Sequence, residues 1–259
     1  MPLTPKHRPL KLACFSLAFL ATSCATTEPT PPPPNAAKTA PLTLTYTKGQ
    51  LISLIIIDAK DGEAAAAARA NYYDTAFPMA TPFGLKRDAG MTIAMTMVGK
   101  FKPEAVGIFS WPSQTASDEL SAQSGWPAIK ATRPAGWDEL AIFTAPITQD
   151  MALTFDPAKA YTIAVAYINS DNPADYDRYM AGIEPSLNGL GGRFIYRMIN
   201  PVTESHRSGH DGNVQVTLVE WDSADLISKF TSTSGYKANA DYFASGITGF
   251  EFHQIVPAQ

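Results

Sequence analysis

The chain is short of charge, of cysteine and of histidine. Only 17% of its 259 residues are charged, and 20 basic against 24 acidic side chains give a formal net charge of −4. No basic patch recurs along it, so the electrostatic footprint of a nucleic-acid binder is missing and no nucleic-acid partner is expected. Its two cysteines, Cys14 and Cys24, both lie near the N-terminus. The remainder can form no disulfide and offers no thiol nucleophile. A Gly-rich phosphate loop, a nucleophile elbow, a paired-carboxylate motif and a metalloprotease signature are absent too, so no cofactor is expected and the case for catalysis is weak. No apolar run reaches the roughly 20 residues of a permanent membrane helix.

What is present at the N-terminus is ordered. Lys6, Arg8 and Lys11 precede the apolar run from Leu12 to Ala21, the layout of an export signal. The run closes with Leu20-Ala21-Thr22-Ser23-Cys24, which resembles the lipobox of bacterial lipoproteins, with Ala21 where leucine is usual. The resemblance implies cleavage before Cys24 and a membrane partner reached through lipid on that cysteine. In a Gram-negative host, Ala25 in the next place implies the periplasmic side of the outer membrane. The plainer reading is a signal cut near Ala21 or Ala25, which leaves a soluble protein. Removing residues 1–23 takes away three basic residues and no acid, moving the formal charge from −4 to −7. Residues 24–44, with Pro29, Pro31 to Pro34 and Pro41, cannot build a core and read as an extended tether.

Sliding the sequence against itself by 110 residues brings Trp111 onto Trp221, Ser124-Gly125-Trp126 onto Ser234-Gly235-Tyr236 and Gly136 onto Gly246. Leu51 to Ile57 falls on Tyr161 to Tyr167, both strand-like. The spacing predicts two repeats, residues 45–147 and 156–259, each running strand, helix, strand, strand, helix, strand. In the second, Ala160 to Ile168 reads as a strand. Pro173 suits a first helical position, and Tyr176, Tyr179, Met180, Ile183 and Leu187 form one helical face. Arg193 to Ile199 and Asn213 to Trp221 read as a hairpin, Asp222 or Ser223 as the cap of a short helix, and Phe250 to Val256 as the last strand. The first repeat reads likewise: Leu51 to Asp58, a helix through the alanine run, strands Gly90 to Val98 and Ala105 to Trp111, a helix after Ser113, and Leu140 to Thr144.

The run Gly191-Gly192-Arg193-Phe194-Ile195-Tyr196-Arg197, then Glu220-Trp221-Asp222-Ser223-Ala224 and Ser232 to Tyr236, resembles the domain-of-unknown-function family thirteen-thirty. It departs from that family at Met198-Ile199-Asn200-Pro201, where glycine is usual after Arg197. The family belongs to the dimeric α/β-barrel superfamily, whose unit is ferredoxin-like. The resemblance implies an α+β chain in which two tandem ferredoxin-like (βαββαβ) repeats pair within the chain, their sheets facing each other as a barrel; the alternatives are two separate units in tandem, or each repeat pairing with a second chain.

Several residues could carry chemistry. Arg193 and Arg197, four apart on a strand, are expected on one side, where they could hold a carboxylate or phosphate, or else pair with Glu220 or Glu251. His253 could serve as a base or haem ligand, or as a hydrogen-bonded structural residue. Trp221 could stack on a ligand or simply pack. These expectations place a small-molecule ligand near Arg193, Arg197, Glu220, Trp221 and His253, between the sheets. His206 and His210 are weak metal candidates, since Ser208, Gly209 and Gly212 make their segment a loop. The sequence favours an envelope lipoprotein that binds a small molecule or a protein partner. The other readings are a cofactor-independent or haem-using enzyme acting on a small organic molecule, and a purely structural role.

Overall fold

The computed structural model describes residues 40–205 and 213–258. Cys24, the expected export signal, most of the stretch expected to be a tether and the His206 and His210 pair lie outside the described residues. The fold is α+β, with a mixed layer of helices on an antiparallel sheet.

In the first half, β2 (Leu51–Ala59), β3 (Lys86–Val98), β4 (Ala105–Trp111) and β5 (Trp137–Pro146) lie in the order β3-β4-β2-β5. In the second, β7 (Ala160–Ile168), β8 (Gly192–Ile199), β10 (Val214–Trp221) and β11 (Ile247–Pro257) lie in the order β8-β10-β7-β11. Both are the ferredoxin-like order. The halves join where β11 pairs with β3, and where the three-residue β9 (Val202–Glu204) pairs with β5. β8 and β9 are thus opposite edges of one nine-stranded sheet, yet only Asn200 and Pro201 separate them. Two intervening residues reach no further than about 11 Å, so the sheet must curl until its edges meet.

The curled sheet turns one face inward. Ile52, Leu54 and Ile56 of β2 meet Ile163 and Val165 of β7 there, together with Val216 and Leu218 of β10. A two-stranded ribbon of β1 (Leu42–Tyr46) and β6 (Met151–Phe155) adds Leu44, Tyr46, Leu153 and Phe155 to the same core, while Thr43, Thr45, Ala152 and Thr154 stay exposed. This is the period-two pattern of a half-buried strand. The ribbon corrects two expected boundaries. β1 starts inside the stretch expected to be a tether, and β6 falls in the gap between the two expected repeats, 148–155.

Helices cover the outer face. α1 (Glu63–Ala80) buries Tyr72, Ala76 and Ala80 at four-residue steps, beside α2 (Gln114–Ser121), α3 (Trp126–Lys130) and α4 (Arg133–Gly136). Ser113 caps α2 by accepting from the Ala116 amide. α5 (Pro173–Gly189) buries Tyr176, Tyr179, Met180, Ile183 and Leu187, the face read from the sequence. It packs on α7 (Ser234–Gly246), which the sequence reading did not anticipate, preceded by α6 (Asp225–Lys229). The cap of α6 is Ala224, without a side-chain bond, because Ser223 Oγ turns to the Asp225 carboxylate instead.

One further correction concerns the first strands. Leu51 lies opposite Trp111 and Ala160 opposite Trp221, so β2 and β7 correspond one residue short of the 110-residue spacing. A one-residue slip exchanges the faces of a strand: Leu51 points to the helices whereas Tyr161 points to the inner core.

Candidate functional site

The residues singled out from the sequence separate into three environments. Arg193 and Glu220 are cross-strand partners on the inner face, where Arg193 Nη2 lies 2.8 Å from Glu220 Oε1. Tyr161 Oη donates to the other Glu220 oxygen at 3.1 Å, and burial pushes its phenol up to about 12. Glu220 is buried, but the Arg193 side chain is 66% exposed, so the pair lies at the barrel margin and not in its interior.

Arg197 does not join them. Leu218 pairs with Tyr196 and Val219 with Phe194, leaving Ile195 as a bulge. The extra residue reverses the alternation. Arg197 therefore turns to the helix side, its guanidinium 5.8 Å from the Phe194 ring centroid. The expectation that the two arginines share a face is corrected by that bulge.

The double glycine before them serves packing. Gly191 has φ +88, and a Cβ there would approach Asp222 Oδ2 to 2.7 Å. Trp221, next to Glu220, points to the opposite face. Its Nε1 donates to Thr162 Oγ1 at 3.0 Å, and its ring meets Phe230 edge-on at 5.9 Å.

His253 faces inward and is 1% exposed. Its Nδ1 lies 3.0 Å from Thr96 Oγ1 and its Nε2 3.7 Å from Glu251 Oε2. Burial holds the imidazole down at about 4, so it is neutral at ordinary pH. The Glu251 carboxyl is raised above its usual range, also by burial, although Oε1 accepts from the Lys100 amide. Gly99, at φ +142, passes so close to this carboxylate that a Cβ would fall 1.7 Å from Oε2. Nearby, Glu139 accepts from Ser205 Oγ at 2.7 Å and from the Leu140 amide at 3.0 Å. Burial, reinforced by the charges of Glu251 and Glu139, raises Tyr167 to about 12.

Two chambers lie outside the barrel, between sheet and helices. The one in the second half has a volume of about 350 Å³ and is walled by Tyr179, Met180, Trp221, Phe230, Phe243 and Phe250, with Thr217 as a polar group. Desolvation raises the Tyr176 and Tyr179 phenols far above their ordinary value, so both remain neutral donors. The one in the first half measures about 150 Å³ and contains Tyr72, Trp126, Trp137, Arg133 and Glu204.

The sequence reading missed Arg133 and its pairing with Glu204, which it had noted only beside His206 and His210. A signal was available, since position 243, 110 residues beyond Arg133, is Phe. Among the described residues no group of three or more His, Cys, Asp or Glu side chains is arranged to hold a metal ion.

No curated protein matches the chain. Among solved structures it is similar to an anthrone oxidase-like protein at 12% identity, with a TM-score of 0.49 over 83% of this chain and 94% of that one. It is similar as well to a mutant chlorite dismutase from Candidatus Nitrospira defluvii, at 7% identity and a TM-score of 0.42 over 82% and 93%. A protein of unknown function from Rhodopseudomonas palustris is 17% identical, with a TM-score of 0.31, over 42% of this chain and 83% of that one. Within the chain, residues 159–247 match the model of the family described as Domain of unknown function (DUF1330).

Proposed function

We propose that the chain is an envelope-anchored binding protein for a small apolar molecule, which lodges between the sheet and the helices of the second half. The chamber walled by Trp221, Tyr179, Phe230 and Phe250 carries this reading, because its volume of about 350 Å³ lies in the range of small-molecule sites and its few polar groups can orient a ligand. Anchoring through Cys24 rests on the basic, apolar and small-residue order before that cysteine. The shared strand order of the two halves supports a duplicated βαββαβ unit paired within one chain. Arg193 and Glu220 then serve the barrel margin as a structural pair. His253, the single histidine among the described residues, sits on the other face of the sheet, so it supplies no haem ligand to this chamber.

Native mass spectrometry of the purified intact chain tests the reading. Wild-type protein should carry an added small mass that organic solvent extracts. Ala164, which lines the chamber, is the place to fill it. Ala164→Phe should lose that mass and keep its melting temperature. Wild-type protein without added mass, or a variant that still carries it, would overturn the assignment.

A further inference from the structure

The chamber of the first half has a different chemistry, because a cation stands in it. Arg133 opens α4 with a side chain only 11% exposed. A guanidinium has five N–H donors, no acceptor, and a proton it does not release. Here Nε donates to Tyr72 Oη at 2.9 Å, and Nη1 donates to Glu204 Oε2 at 2.8 Å. The rings of Tyr72 and Trp126 lie 5.6 and 6.0 Å from the guanidinium carbon. Glu204 gives one oxygen to Arg133 and its other to Lys130 at 3.5 Å, and its side chain is 44% exposed. A fork suited to two parallel bonds therefore holds one oxygen of a carboxylate that is itself half in solvent.

The fold has no need of a charge at this place. Phe243, 110 residues on, lines the second chamber, where the same layers pack with an apolar side chain. Among the described residues no Arg or Lys lines that second chamber. The other walls are mostly apolar and rich in aromatic rings, with Trp137 meeting Tyr72 edge-on at 5.1 Å, and the hydroxyls of Ser53, Ser117, Ser121 and Thr144 are the remaining polar groups. At about 150 Å³ the space suits a single six-membered ring with a short substituent.

We propose that this chamber binds a small monocyclic aromatic carboxylate, its ring among Tyr72, Trp126 and Trp137 and its two oxygens paired with the Nη1 and Nη2 fork of Arg133 in place of Glu204. The exchange is like for like: one carboxylate leaves the guanidinium for solvent and Lys130, another takes its place, and the buried charge stays balanced. A carboxylate is favoured over a phosphate dianion because one buried cation balances one negative charge.

Isothermal titration of the intact chain with benzoate and phenylacetate tests this, with benzyl alcohol as the neutral control. At least one acid should bind with one-to-one stoichiometry, and the alcohol should bind at least tenfold more weakly. Glu204→Gln keeps the shape of the side chain and removes the competing charge, so it should tighten acid binding by about tenfold. Arg133→Met should abolish binding, and Arg133→Lys, which keeps the charge but loses the fork, should restore it only in part. Ala164→Phe, in the other chamber, should leave acid binding unchanged. The proposal is overturned by equal binding of acid and alcohol, by no acid binding in either wild type or Glu204→Gln, by weaker or unchanged binding in Glu204→Gln, or by loss of acid binding in Ala164→Phe.

Discussion

Replacing His253 by Gln should change how stability depends on pH, with a sign fixed by the direction of its shift. Folded, the imidazole is held down at about 4 by burial, against 6.5 when exposed. Between those values the unfolded chain takes up a proton that the folded chain refuses, so wild-type stability falls as pH falls. Each unit corresponds to about 1.4 kcal/mol, and the window of the shift gives a loss of order 3 kcal/mol at pH 4 relative to pH 7. Glu251 acts in the opposite sense. Its raised carboxyl favours the protonated form in the folded state, so just above the ordinary carboxylate range its contribution weakens stability as pH rises. That contribution is common to wild type and variant and largely cancels in their difference. Gln keeps an amide within reach of Thr96, so the substitution should add a roughly constant offset at neutral pH. Urea midpoints at half-unit steps from pH 4 to 7.5 give the difference curve. The variant should gain on wild type progressively below pH 6.5. Parallel curves would refute the claim that His253 is buried in its neutral form.

Two other outcomes are expected. Phe155→Ala should cost about 3 to 5 kcal/mol in a thermal or urea melt, because a fully buried ring that meets Tyr161 edge-on at 5.1 Å leaves a cavity in the inner core; a cost below 1 kcal/mol would mean that the ribbon is not part of that core. Cys24→Ala should move the protein from the membrane to the soluble fraction and remove the lipid mass, and a variant that stays with the membrane would refute anchoring through Cys24.

Much of the fold was legible in the sequence, and the misses have physical reasons. Ala160–Ile168 is recovered to the residue because a continuous apolar run is bounded by turn formers on one side, and α5 because its five buried residues recur at helical spacing. β1 and β6 were hidden by their length. Five alternating residues beside a proline-rich stretch, or inside a short connector, say little until each is paired with the other. The bulge at Ile195 leaves no mark on composition, yet it decides that Arg193 and Arg197 face opposite ways. The one-residue slip between β2 and β7 is likewise invisible to a gapless comparison, because both strands are apolar on both faces. The pairing of Arg133 with Glu204 escaped for another reason: they are far apart in sequence, and only the curling of the sheet brings β9 of one half against α4 of the other.

The ribbon also has a mechanical meaning. β1 is the first strand of the described chain, and it is held by the ladder that pairs Leu42 with Phe155, by the side chains it buries and by the Tyr46 hydroxyl donating to Asp88. Any tension drawn through the N-terminal stretch arrives at Leu42 before it reaches the large sheet. The load then falls on five residue pairs, and the part that yields first is the one whose Leu44 and Tyr46 fill the inner core. Pulling on this molecule from its N-terminal side would therefore draw the ribbon's side chains out of the inner core before the large sheet gave way.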